Sequence, residues 1–281
     1  MVESREYRVW DRTVRVFHWL NFICVVSLIF LGTALLYTGE LGLSLEGNVR
    51  LKTLHVLIGY VFALNLAWRL VWGFTGGHYA RWRQVLPFGR GYAAELKSYV
   101  LELAQRNAPV YLGHNPLGRI AVSVMLLVLL VLAVSGLVIT GTDLYMPPFG
   151  HSIAVHIAAP GLAPWQVRPH VPDAASAQQH AAMMATVDPR AYAAMVARLR
   201  KPFEFAHRWG YYVLLLLIAA HITAVIMAEV GSDSGIVSAM FSGKKSVNRR
   251  AADLPVRSDD LPLQRRACLV QRVTRKTGEP K

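Results

Sequence analysis

Four of the ten histidines in this 281-residue chain, His18, His55, His207 and His221, fall in or at the ends of long apolar runs. An imidazole in hydrocarbon is costly unless it finds a partner, so such residues serve as ligands, proton relays or substrate contacts, or bond a neighbouring helix. Spacing narrows the choice for the set. His207 and His221 are 14 residues apart. At 1.5 Å per residue they return to within about 40° of one helix face, roughly 21 Å apart along its axis. One stripe thus carries two rings at two depths. Following the chain through alternating spans brings His18 to the level of His221, and His55 to the level of His207. Two neutral imidazoles on facing helices can occupy both axial positions of a haem iron, and two such pairs would stack two haems across a bilayer. The chemistry implied is electron transfer from one membrane face to the other.

The elements that must position these rings are membrane-crossing helices. Hydrophobic residues make up 54% of the chain and charged residues 17%, against about a quarter charged in soluble domains. Charge is missing from whole stretches, at about 16–37, 53–74, 120–142 and 205–228, each long enough to cross about 30 Å of hydrocarbon as a helix. A soluble enzyme and a disordered tail protein are both excluded. The first run follows Glu3, Glu6 and Asp11 set among arginines and is too long for the core of a signal peptide, so it is expected to be retained. Four spans return both termini to one side. Of the 30 Lys and Arg residues, 21 flank the spans on that side and 8 on the other, with Arg69 inside a span. Basic residues concentrate on the cytoplasmic side, so both termini are expected there, in a bacterial inner membrane. The net charge of +13 accordingly reads as topology and contact with anionic lipid, with no nucleic-acid partner.

The expected fold is therefore all-α: an integral membrane four-helix bundle over residues 1–245, binding two b haems, followed by a basic, disordered tail at 246–281. The loop at 143–204 is too long for a plain connector and should lie on the outer face. In it, Asp188 and Pro189 make an N-cap and first-turn pair for a short helix carrying Tyr192, Met195 and Leu199. His151, His156, His170, His180 and the Met183–Met184 pair also lie there, but their spacings fit no compact metal site. Cys24 and Cys268 are too few and too far apart for a disulfide framework, and no Cys-x-x-Cys-His occurs for covalent haem. Arg69, 14 residues after His55, shares its helix face near the cytoplasmic side. It could pair with a propionate of the inner haem or snorkel to the headgroups. Gly32, 14 residues after His18, could let a macrocycle held by His55 and His207 approach the backbone, and Gly59 and Gly210 could leave space beside the outer histidines. Such glycines are also common at plain helix interfaces.

Several blocks resemble a known family. The stretch Arg8-Val-Trp-Asp-Arg-Thr-Val-Arg-Val-Phe-His18-Trp is similar to the first helix of the b-type cytochrome subunit of membrane-bound nickel–iron hydrogenases and the wider bacterial cytochrome b561 family. Val49-Arg-Leu-Lys-Thr-Leu-His55, Ala67-Trp-Arg69-Leu-Val-Trp, Gly113-His114-Asn115-Pro116, His207-Arg-Trp-Gly through His221, and Ser232-Asp-Ser-Gly-Ile-Val-Ser follow in the family's order, from Tyr7 to Lys245. The resemblance implies a four-helix membrane bundle with two b haems that links a redox subunit on the outer face to quinone, without being catalytic alone. Carried over by position, His18, His55, His207 and His221 are the axial ligands, the same four that topology selects. The 143–204 loop departs from the hydrogenase subunits' pattern, so the outer partner could be a hydrogenase-like dehydrogenase or a multihaem c-type cytochrome. For quinone, the inner-side candidates are Arg15, His114, Asn115 and Glu229, and the outer-side candidates are Glu204 and Arg208. Asn115 before Pro116 also reads simply as a helix N-cap. The rival reading is a haem-free helical transporter or anchor. A proton relay would need acids at midplane, which these spans lack.

Overall fold

The computed structural model describes residues 5–170, 177–232, 235–248 and 250–254. After a short strand β1 (Arg5–Arg8) come two long helices, α1 (Arg12–Leu36) and α2 (Leu45–Thr75). Two shorter ones follow, α3 (Trp82–Val85) and α4 (Tyr92–Ala104). The third long helix is α5 (Pro116–Asp143), followed by α6 (Gly150–Ile157), α7 (Ala177–Met184) and α8 (Pro189–Met195). The fourth long helix is α9 (Lys201–Ser232), and the described chain ends through α10 (Ile236–Ser242) and β2 (Lys244–Val247). Among the described residues four helical runs are long and apolar enough to cross a membrane: α1, α2, α5 and the run Pro189–Val230 that contains most of α9.

Three of the four begin earlier than their apolar stretches, because a cap in the polar flank sets each start. Asp11 accepts from the Val14 amide at 2.8 Å, Ser44 from Gly47 at 3.1 Å and Asn115 from Gly118 at 2.7 Å, with Pro116 in the first turn. Such a cap contributes about 1 kcal/mol. The fourth span also starts early, for another reason. Asp188 caps α8 through the Ala191 amide at 2.8 Å, and a π-helical stretch, Val196–Arg200, then joins α8 to α9 without a break. The expected short helix forms with that cap and runs on into the fourth span.

α1 packs on α2, α5 on α9, and α2 on α5. Cys24, Val25, Phe62, Leu66, Leu129, Ala133 and Leu214 form the buried centre. Large apolar side chains such as Phe30, Leu64 and Leu216 are exposed on the outside of the bundle, as a hydrocarbon solvent requires.

The two ends of the described chain meet. β1 and β2 pair antiparallel with Arg5 opposite Val247 and Arg8 opposite Lys244, so these two strands sit together at one end of the bundle, as an even number of spans demands. The tail expected to be unstructured from residue 246 is folded in its first described residues. Val247 and Ala251 are buried with Val9 and Leu112, and the Asp253 carboxylate accepts from the Leu112 and Gly113 amides at 2.7 Å each. The remainder of that tail, including Cys268, lies outside the described residues.

At the opposite end the described parts of the 143–204 segment fold into a cap. Ala154, Ile157, Val167, Val187 and Met195 bury one another, and Ala158 bridges to Val187.

Candidate functional site

His55 on α2 and His207 on α9 face each other with ring centres 6.3 Å apart and planes at 72°. Two imidazoles bonded on opposite sides of one metal at about 2.0 Å, each donor nitrogen about 1.1 Å from its ring centre, would have centres roughly 6.2 Å apart. The pair borders a cavity of about 570 Å³, within the roughly 300–1,000 Å³ range of small-molecule and cofactor sites. Each ring is seated against a glycine of a neighbouring helix. A Cβ on Gly32 would stand 3.4 Å from His55 Cε1, and one on Gly136 would stand 3.2 Å from His207 Cε1 and 3.6 Å from its Nδ1. At Gly32 a side chain would only touch the imidazole, whereas at Gly136, which spacing from the histidines did not pick out, it would crowd the ring. Gly59 opens onto the cavity with nothing within 4 Å. Gly210, by contrast, is covered by the Leu132 side chain at 3.1 Å, because α5 and α9 pack closely there.

The hydrogen bonds of His207 fix which nitrogen is available. The Ser135 hydroxyl has one proton, which it directs to the Val131 carbonyl at 2.6 Å, so toward His207 Nδ1 at 3.0 Å it acts as acceptor. Nδ1 therefore carries the ring proton and Nε2 keeps a lone pair for a metal. His55 Nδ1 is buried without a hydrogen-bond partner. Ring spacing, cavity size and tautomer all fit an iron porphyrin between these two residues.

Toward the end of the bundle where β1 and β2 meet lie His18, in the second turn of α1, and His221 on α9. This pair is more open. His18 is half-buried with its Nδ1 unpartnered and its ring edge-on to Trp19 at 5.4 Å, while His221 is exposed, the least enclosed of the four. Arg69 does not snorkel outward: it is buried, with Nη2 donating to the Ala80 carbonyl at 3.2 Å and its guanidinium 5.1 Å above Trp82. Nη1 is buried and unpartnered.

The quinone candidates are mostly engaged in the fold. Asn115 caps α5, and Glu229 accepts from the Ile236 and Val237 amides at 2.7 and 3.2 Å, holding the start of α10. Arg15 donates to the Phe241 carbonyl, with its Nε buried and unpartnered. His114 stands 5.0 Å from the Trp10 ring with Nδ1 unpartnered. Burial, then Arg69 and Arg119, push its imidazole down to about 4, so it is neutral near pH 7. On the outer side Glu204 and Arg208 form an exposed pair at 2.9 Å, both bordering the cavity.

His151, His156 and His180 are exposed on the cap, whereas His170 borders the cavity and its Nδ1 meets Tyr192 Oη at 2.7 Å. Among the described residues no three His, Cys, Asp or Glu side chains gather into a metal site.

Sequence reasoning missed Ser135, Gly136 and a buried charge cluster. Asp143, at the end of α5, pairs with Lys52 at 2.9 Å and Arg200 at 3.0 Å. An acid just after an apolar run was the available signal.

A family profile for prokaryotic cytochrome b561 matches residues 9–243. A protein of Bradyrhizobium diazoefficiens described as a probable Ni/Fe-hydrogenase B-type cytochrome subunit is 24% identical, over 84% of this chain and 85% of its own length. A protein of the same description from Cupriavidus necator is 25% identical, over 85% and 86%. A probable Ni/Fe-hydrogenase 1 B-type cytochrome subunit of Escherichia coli K12 is 32% identical over 40% of this chain and 51% of its own. No solved structure gives a significant match. With a profile that runs from the cap of the first span to the turn before β2, across all four helices and the histidines they carry, the chain belongs to the prokaryotic cytochrome b561 family.

Proposed function

We propose that this protein is a di-haem b-type cytochrome that serves as the membrane subunit of a larger oxidoreductase, conducting electrons between a redox partner on the outer face and the quinone pool. The observation that carries the reading is the His55–His207 pair, 6.3 Å between ring centres beside a cofactor-sized cavity. Haem b, when bound, supplies one-electron redox chemistry.

The chain's own residues hold and tune. His55 and His207 would hold the haem of the outer site, where Ser135 keeps the His207 proton on Nδ1. His18 and His221 are the ligands of the inner site, with the unpartnered Arg69 Nη1 available to a propionate. Gly136 sets how closely the His207 ring approaches its neighbouring helix, and Gly59 keeps the cavity wall low. Leu66, Phe62 and Leu129 between the two levels exclude water from the bundle centre. At the inner face the quinone's polar head would meet His114, the one inner candidate that neither caps a helix nor bonds a backbone carbonyl among the described contacts.

The relatives are described as hydrogenase subunits, which favours a hydrogenase-like dehydrogenase as the outer partner. A multihaem c-type cytochrome on the cap is the alternative. The excess of basic residues at the end where β1 and β2 meet supports a cytoplasmic position for both termini.

The test is chemical and direct. The purified full-length chain should show a reduced-minus-oxidised b-type spectrum that a quinol analogue can generate. A colourless, folded, helical protein would overturn the reading in favour of a haem-free transporter or anchor. Purification from native membranes under mild detergent should carry the outer partner along. A nickel-binding large subunit would support the hydrogenase-like partner, and a c-type cytochrome would replace it.

A further inference from the structure

The outer cavity is chemically lopsided. Its deep wall is apolar, formed by Val25, Leu28, Phe62, Leu129, Ala133 and Leu214. Every charged residue that borders it stands at the cap end. These are the cations Lys52, Arg200, Lys201 and Arg208 and the carboxylates Asp143 and Glu204, a surplus of two positive charges. The innermost part of this rim is the least exposed. The side chains of Lys52, Arg200 and Asp143 are 22%, 13% and 8% accessible, and one carboxylate serves both cations. Arg200 reaches Asp143 through Nε, which leaves its terminal nitrogens for another acceptor.

Two cations held around one acid at the edge of a membrane bundle are an expensive arrangement unless a further anion completes it. A porphyrin with two propionates brings two negative charges on one edge and apolar substituents on the other. Sinking a carboxylate into the apolar wall would leave it unpaired in a low dielectric. Turned toward the cap, both propionates meet cations capable of strong, charge-assisted hydrogen bonds.

We propose that Lys52 and Arg200, with Lys201 beside them, form the propionate-binding rim of the outer haem, so that the porphyrin's carboxylate edge faces the cap. This rests on the assignment of His55 and His207 as its axial ligands. It assigns Arg200 and the π-helical turn that carries it a binding role, and makes the cap part of the outer site.

The experiment compares haem b with haem b dimethyl ester, whose propionates carry no charge, as ligands added to haem-depleted full-length protein. The outer site is read as the absorbance change that disappears in His55→Ala. The wild type should bind haem b at this site at least tenfold more tightly than the ester. In Lys52→Gln/Arg200→Gln the preference should fall to near parity, whereas Lys52→Arg/Arg200→Lys should keep it. Removal of Arg190, an exposed cation of α8 away from the cavity, should leave it unchanged. An equal preference in the wild type and the glutamine variant, or a loss of preference in the charge-conserving variant as well, would overturn the rim assignment. Should the glutamine double variant fail to fold, shown by loss of the inner-site spectrum, the single variants Lys52→Gln and Arg200→Gln take its place under the same criteria. If neither porphyrin gives a His55-dependent b-type band in the wild type, it is the axial-ligand reading that fails.

Discussion

If His55 and His207 hold a haem as proposed, removing the Ser135 hydroxyl should weaken that site without touching either ligand. Ser135 is 2% exposed, and its oxygen lies 3.0 Å from His207 Nδ1. A Ser135→Ala change leaves that buried N–H with a poorer acceptor and lets the ring rotate or exchange tautomers. A buried hydrogen bond lost on one side costs about 1–2 kcal/mol, which at 1.4 kcal/mol per tenfold corresponds to roughly a 5- to 30-fold loss of affinity. This agrees with the roughly 10- to 100-fold effects of removing a partner behind a metal-bound histidine. Binding of haem b to depleted protein, followed at the His55-dependent absorbance band, measures it. Ser135→Thr retains the hydroxyl and should stay within about twofold of the wild type. An unchanged affinity in Ser135→Ala, with the inner-site signal intact as a control for folding, would refute the inference that Ser135 orients His207.

Other perturbations address the surrounding structure. Gly136→Val should displace His207, because even a Cβ there would stand 3.2 Å from its ring, and should abolish the outer-site spectrum while sparing the inner one; retention of both bands would contradict the packing argument. Asp143→Asn leaves Lys52 and Arg200 without their shared carboxylate, and should destabilise the cap by about 3 kcal/mol, seen as faster proteolysis between α6 and α9, with unchanged cleavage the contrary result. His114 has a folded value of about 4, below the ordinary 6.5, so the unfolded chain binds its proton more tightly. Its stabilising contribution is complete above about pH 6.5 and is lost as pH falls toward 4, the loss reaching about 2 kcal/mol at pH 5. His114→Asn should therefore flatten the fall in thermal stability between pH 7 and pH 5, and an equally steep fall in the variant would exclude this residue as a source.

What the sequence revealed follows from the range over which each physical signal acts. Helix periodicity is a local rule, so the 14-residue spacing of His207 and His221 and alternating threading were enough to put His55 and His207 at one depth. Their rings are 6.3 Å apart in the structure. Caps with a strong local signature, Asn115 with Pro116 and Asp188 with Pro189, were legible for the same reason. The starts set by Asp11 and Ser44 were not, because both lie in polar flanks that hydropathy assigns to connecting loops.

The features that escaped depend on contacts between distant segments. Ser135 and Gly136 sit on the one long helix without a histidine, where a serine and a glycine read as ordinary interhelical packing. The Lys52–Asp143–Arg200 cluster joins three segments about 90 and 57 residues apart in the chain, and the extension of α9 through a π-helical turn has no composition marker. The first residues of the C-terminal tail looked unstructured by charge. They fold because Val247, Ala251 and Asp253 find partners in segments more than 130 residues away.

Haem content per chain in four single variants tests the pairing of the histidines most directly. Pyridine haemochrome quantification and redox difference spectra should find two b haems in the wild-type protein. His55→Ala and His207→Ala should each lose the same one, and His18→Ala and His221→Ala should each lose the other. Two haems retained in any of the four variants, or different signals lost within a pair, would contradict the account.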